Sequence, residues 1–139
     1  MDEIEVSYSY TDDDAQVIRR KLNEYNNKFV PPDNHERLCL VVRRGDNIIG
    51  GLLGGTYWNW LYIELFWVDE TERHNGLGTR ILASAEAAAV QKGCKQAHLE
   101  THDFQSLGFY TRRGYEVFGK LDDLPEGHTK YYLHKQLIK

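Results

Sequence analysis

The chain changes hydrophobic period abruptly at residue 69, and few folds accommodate what lies on the two sides. Before it, residues 61–68 (Leu-Tyr-Ile-Glu-Leu-Phe-Trp-Val) make a nearly unbroken apolar run of strand length. After it comes a polar loop bearing Gly76 and Gly78. Residues 77–92 follow, with Leu77, Ile81, Leu82, Ala85, Ala88 and Ala89 on one face of a helix. Gly93 stands where a left-handed residue ends such a helix. A strand feeding a long helix through glycines requires a layered α/β architecture.

The rest of the chain supplies the other layers. Residues 4–10 alternate apolar and polar side chains and are expected as a strand. Thr11 with Asp12, Asp13 and Asp14 opens a helix carrying Val17, Ile18, Leu22 and Tyr25 at helical spacing. Residues 38–42, 48–57 and 61–68, joined by turns at 44–47 and 58–60, form an antiparallel meander. Beyond Gly93, residues 96–101 read as a strand and 105–113 as a short helix ended by Gly114. Residues 115–118 and 129–137 read as two further strands. The expected order is β-α-β-β-β-α-β-α-β-β: a mixed, mostly antiparallel central sheet with helices on both faces. At 139 residues the chain is expected to form one domain, 1–139.

Charge and cysteine usage narrow the partners. With 17 Lys plus Arg against 21 Asp plus Glu, the net charge is −4. A nucleic acid held by phosphate neutralisation is therefore not expected, because it needs a basic face. Cys39 and Cys94 are isolated, so no disulfide framework or zinc site is expected. No apolar run approaches the roughly 20 residues of a membrane helix. The acidic N-terminus lacks the apolar core of a signal peptide. A cytoplasmic protein with no membrane partner is the expectation.

The loop between residues 69 and 78 has the makings of an anion site. The first N–H groups of a helix lack intrahelical partners and lie at its positive dipole end. Glycines let those amides approach a diphosphate, and Arg73 and Arg80 flank them. Other phosphate motifs fail. The segment 50–56 (GGLLGGT) lacks the lysine of a nucleoside-triphosphate loop. Ile81 stands where a dinucleotide fingerprint wants Gly or Ala.

In this setting Arg73-x-x-Gly76-x-Gly78 resembles the Q/R-x-x-G-x-G/A acyl-CoA loop of the GNAT (Gcn5-related) acetyltransferases. Downstream, Asp103-x-x-Ser106-x-x-Phe109-Tyr110-x-x-x-Gly114-Tyr115 is similar to that family's N-x-x-A-x-x-F/L-Y-x-x-x-G-F segment. Asp103 replaces the usual Asn and Ser106 the usual Ala. The resemblance implies an acyltransferase using acetyl-CoA as co-substrate, with no metal. It implies cofactor contacts at Trp67, Val68, Arg73, His74, Asn75, Gly76, Leu77, Gly78 and Thr79, and at Asp103 and Ser106 near the pantetheine arm. It also implies that residues 61–68 splay away from a neighbouring strand to admit that arm.

Transfer of an acetyl group to an amine needs a base, an acid for the departing thiol, and alignment. Tyr110 matches the family's tyrosine and is the candidate acid. Glu64, a carboxylate within an apolar run, is the candidate base. Glu100 and His102 stand as second choices. His98, Glu100 and His102 alternate on one face but span about 13 Å, too far for one metal ion. Tyr57, Trp58 and Trp60, with Asp122, Asp123, Glu126 and His128, are candidate walls of an acceptor pocket suited to an ammonium group. The leading expectation is direct acetylation of a small-molecule primary amine. A protein lysine or N-terminal acetyltransferase and a non-catalytic acyl-CoA-binding module stand as alternatives. The aromatic cluster near Trp58 suits a homodimer.

Overall fold

A computed structural model describes residues 3–138, which fall into two compact units, Met1–Asp33 and Asn34–Lys139. In the first, helix α1 spans Asp12–Asn26. Its start is fixed by a reciprocal cap. Thr11 Oγ1 accepts from Asp14 N at 3.1 Å, and Asp14 Oδ2 accepts from Thr11 N at 2.9 Å. Residues 4–10, expected as a strand, belong to none of the strands of the structure. Ile4, Val6 and Tyr8 are at least 85% exposed. Alternation supplies one apolar face, but a strand also needs a neighbour for its N–H and C=O groups, and the pattern names none.

The second unit contains β1 (Glu36–Arg44), β2 (Asn47–Tyr57), β3 (Trp60–Val68), α2 (Leu77–Gln91), β4 (Gln96–His102), α3 (Leu107–Thr111), β5 (Glu116–Asp122) and β6 (Thr129–Gln136). The strands form one sheet in the order β1-β2-β3-β4-β6-β5. Only β3 and β4 run parallel. The meander is closed by Trp58 and Asn59, both at positive φ (44° and 63°), as a tight two-residue hairpin demands. Leu52, Leu61, Ile63, Ile81, Leu82, Ala85, Ala89, Ala97, Leu99 and Leu133 form the dry core, with Tyr110 and Tyr115 against it. No helix among the described residues is long and apolar enough to cross a membrane.

Two irregularities position the site. β3 and β4 pair only from Trp60↔Gln96 to Ile63↔Leu99. Beyond that point β3 continues to Val68 on its β2 partner and β4 to His102 on its β6 partner, so the sheet opens at its centre. The second lies at the same level. Leu53 pairs with Leu65 and Gly54 with Ile63, leaving Glu64 as a bulged residue. The bulge shifts the burial phase of β3: Leu61 and Ile63 face the core before it, Phe66 and Val68 after it. A Cβ at Gly54 would lie 2.3 Å from Tyr62 O, so the strand opposite the bulge admits glycine alone there.

Candidate active site

The open stretch of β3 leads directly to the start of α2. A 3-10 turn over Glu70–Glu72 leaves the strand, with Asp69 Oδ1 accepting from Thr71 N at 3.3 Å. Glu72 is buried beneath it and paired with Arg44. Arg73 folds back, its Nε donating to Val68 O at 3.1 Å, which ties the loop to the strand end. His74 and Gly76 both take positive φ (71° and 79°). No side chain caps α2, and its first closing bond is Arg80 N to Gly76 O at 3.1 Å. The amides of Leu77, Gly78 and Thr79 therefore remain as donors at the positive end of a 15-residue helix. Asn75 and Gly76 are exposed, and a Cβ at Gly76 would meet nothing within 4 Å. A side chain there would point into open space, not into packing.

Gly78 has a different reason. Its Cβ would stand 3.3 Å from Phe109 Cε1, so the glycine lets α3 press onto the first turn of α2. Sequence reading missed Arg113 in this contact. Its guanidinium lies 3.9 Å from the Phe109 ring centroid and donates to Thr79 Oγ1 from Nε (3.1 Å) and Nη2 (2.6 Å). A cation thus stands at the helix start without belonging to the glycine motif. Only the fold brings together residues 34 positions apart.

Tyr110 is 7% exposed in a cage of rings: Phe109 at 5.3 Å, Tyr115 at 5.8 Å and Phe66 at 6.2 Å between centroids. Phe66 belongs to the open stretch of β3, so the tyrosine sits beside the gap. Its hydroxyl takes no hydrogen bond from the described residues, and burial pushes its pKa up to about 12. Trp67 is half-exposed and Val68 partly buried at the end of β3.

The opposite face of the sheet carries the carboxylates. Glu64 is exposed on the bulge; Glu100 is the first β4 residue past the last β3–β4 pair. Between them lies Tyr62, whose hydroxyl donates to Glu100 Oε2 at 2.7 Å. Burial, the Glu100 hydrogen bond and the charges of Glu100 and Glu64 together hold that phenol well above its ordinary range. His102 is tied to the β4–α3 turn, its N and Nδ1 meeting Gln105 Oε1 at 2.8 and 3.1 Å. Among the described residues no group of three His, Cys, Asp or Glu stands ready to hold a metal.

Asp103, placed by motif beside the pantetheine arm, spends both carboxylate oxygens on the loop before β6. Oδ1 lies 2.9 Å from His128 Nδ1, and Oδ2 accepts from Thr129 N at 3.0 Å. That bonding holds its carboxyl below the usual range. Ser106 stands at the N-cap of α3 without a side-chain bond to the helix. Of the expected acceptor walls, Asp122 and Asp123 brace the same loop, accepting from Thr129 Oγ1 (3.1 Å) and Gly127 N (3.2 Å), and Glu126 is exposed. Tyr57, Trp58 and Trp60 line a groove on the carboxylate face.

The parted central sheet, whose open strand runs into an uncapped, glycine-flanked helix start, belongs to a chain with recognisable relatives. The sequence profile of the acetyltransferase (GNAT) family matches residues 2–115. The chain belongs to the GNAT family. It is 45% identical over 95 residues to the blasticidin-S acetyltransferase of Streptomyces morookaense, covering 68% of this chain and 69% of that one. Among solved structures, an acetyltransferase of Bacillus cereus superposes with a TM-score of 0.87 at 32% identity, covering 95% and 97% of the two chains. A Bacillus anthracis acetyltransferase assigned to streptothricin and solved with acetyl coenzyme A superposes at 0.63. It is 25% identical and covers 81% and 67%. This GNAT chain is an acyl-CoA-dependent acetyltransferase.

Proposed function

We propose that this GNAT enzyme acetylates the primary amine of a small molecule, by direct attack in a ternary complex with acetyl-CoA. The observation that carries the reading is the gap between β3 and β4, flanked by Tyr110 on one face of the sheet and by Glu64 and Glu100 on the other. Acidic groups on the acceptor side suit an ammonium ion. Relatives named for antibiotics support a small-molecule acceptor.

The amides of Leu77, Gly78 and Thr79, with Arg73 and Arg113 beside them, would hold the diphosphate, and Trp67 and Val68 would border the pantetheine arm. When bound, the cofactor supplies an acetyl thioester whose carbon–sulfur bond breaks as the amine nitrogen bonds to the carbonyl carbon. Glu64, solvent-accessible on its bulge, takes the ammonium proton, frees the lone pair and passes that proton to solvent; the second proton, shed by the nitrogen as it becomes an amide, leaves by the same carboxylate. Tyr110 keeps its own proton at any physiological pH and offers it to the departing sulfur. Burial destabilises a thiolate in the same surroundings as it does a phenolate, so the raised value does not by itself close that route.

Steady-state assay of free thiol release from acetyl-CoA with a panel of primary amines tests the reading. Acceptor-dependent thiol is the expected result. Saturable acetyl-CoA affinity with no transfer to any amine or peptide would leave a binding module instead.

A further inference from the structure

The face that carries Glu64 and Glu100 also holds a groove of about 650 Å³, lined by Tyr57, Trp58, Trp60, His98, Phe118 and His134. Every lining side chain is a flat ring, and none is a fixed charge. The volume lies in the range of small-molecule pockets. Several of the lining rings meet at steep angles, not in a filled stack. His98 stands at 73° to Tyr57 and 77° to Trp60, and Phe118 at 85° to His134. Such edges and faces accept a further ring in offset or edge-to-face contact.

His98 fixes one wall. Tyr57 Oη lies 2.9 Å from its Nε2, and Tyr62 stacks on its other side at 4.8 Å and 25°. Burial holds the imidazole pKa below its ordinary value, so the wall is uncharged at neutral pH. Two residues along the same face of β4, about 7 Å away, is Glu100. The groove and the carboxylates are therefore ends of one surface, joined through Tyr62 and opening where β3 and β4 part.

We propose that this groove receives a flat aromatic or heteroaromatic ring of the acceptor, whose amine reaches along β4 to Glu100 and Glu64. The inference rests on the acetyltransfer reading and names the substrate class of that site. Charge complementarity decides the orientation: the ammonium goes to the two carboxylates, and the ring-lined end, which holds no Asp, Glu, Lys or Arg, takes the flat ring. Glu100 anchors, its carboxylate held in place by the Tyr62 hydroxyl; Glu64 remains the base.

The test compares 2-phenylethylamine with 2-cyclohexylethylamine, which share a chain and an amine and differ in flatness. The readouts are kcat/KM by thiol release and dissociation constants by calorimetry in the presence of CoA. The phenyl compound should be favoured by about three- to tenfold in both. Phe118→Ala and Trp60→Ala should shrink that ratio toward unity, whereas Glu100→Gln should weaken both amines alike. Equal values for the two amines in the unmodified protein would overturn the proposal, as would a preference that survives both ring deletions. So would a dimer by sizing chromatography that Phe118→Ala dissociates, since a second copy would then fill the groove. Absence of transfer to every amine strikes the acetyltransfer reading itself, while calorimetry with CoA still reports on the groove.

Discussion

Tyr110 and Asp103 show how little a motif says about what a side chain touches. Tyr110 is buried and its hydroxyl takes no hydrogen bond from the described residues, so on the proposed mechanism removing that oxygen takes away the acid and almost no structure. Tyr110→Phe should lower kcat roughly 100-fold and change the KM for acetyl-CoA far less. Its urea midpoint should correspond to a change within about 1 kcal/mol. Unchanged turnover would remove Tyr110 from the mechanism. Because its pKa is raised to about 12, wild-type kcat should show no alkaline fall due to this residue between pH 7 and 10. Asp103 behaves oppositely. Its carboxyl is held below the ordinary 3.8, chiefly by His128 and then by Thr129 N. A depressed carboxylate contributes stability that is complete above its unfolded value. That stability is lost as pH falls through the folded one. Asp103→Asn should therefore flatten the acid limb of stability below about pH 4. Thermal melts of both proteins from pH 6 to 2 measure this; parallel curves would mean that the latch contributes nothing.

At the scale of elements, the strand–loop–helix from Trp60 to Gln91 was legible because its periods are strong and glycines mark its joint. The start of α2 permits a sharper test. Gly76 needs φ near +79° and faces open space, whereas Gly78 has ordinary φ and a crowded neighbour in Phe109. Gly76→Val should cost roughly 1–2 kcal/mol for a left-handed β-branched residue and weaken acetyl-CoA binding by calorimetry. Gly78→Ala needs the Phe109 ring to yield only a few tenths of an ångström and should be milder in both respects. The reverse order would sink this account of the loop. Other elements were misjudged for identifiable reasons. Residues 4–10 have the alternation of a strand without a named partner. Helix α3 is shorter than residues 105–113, because Gln105 bonds back to His102 instead of entering the helix. The bulge at Glu64 and the parting of β3 from β4 are backbone events, and no side chain in the sequence announces them. The Tyr57–His98 and Tyr62–Glu100 contacts join residues about 40 positions apart, beyond any local pattern.

For the molecule as a whole, the gap is a defect placed where a sheet is ordinarily most cohesive. Two strands that cross the centre of the order β1-β2-β3-β4-β6-β5 share only the pairs from Trp60↔Gln96 to Ile63↔Leu99, so half of the central ladder is missing. A ligand seated there would bridge β1-β2-β3 to β4-β6-β5 and supply partners to backbone groups facing the opening. Binding to the native state alone stabilises by RT ln(1 + [L]/Kd), about 2.7 kcal/mol at a hundredfold excess over Kd. At roughly 2–4 °C per kcal/mol, acetyl-CoA at that level should raise Tm by about 5–10 °C. Hydrogen exchange locates the effect. Amides of residues 64–68, 100–102 and 77–79 should slow on ligand addition, while those of β5, remote from the opening, should not. A Tm rise with uniform slowing across the sheet would mean that the ligand tightens the whole fold without entering the gap. Slowing confined to residues 77–79 would mean that the diphosphate is gripped while the arm lies elsewhere.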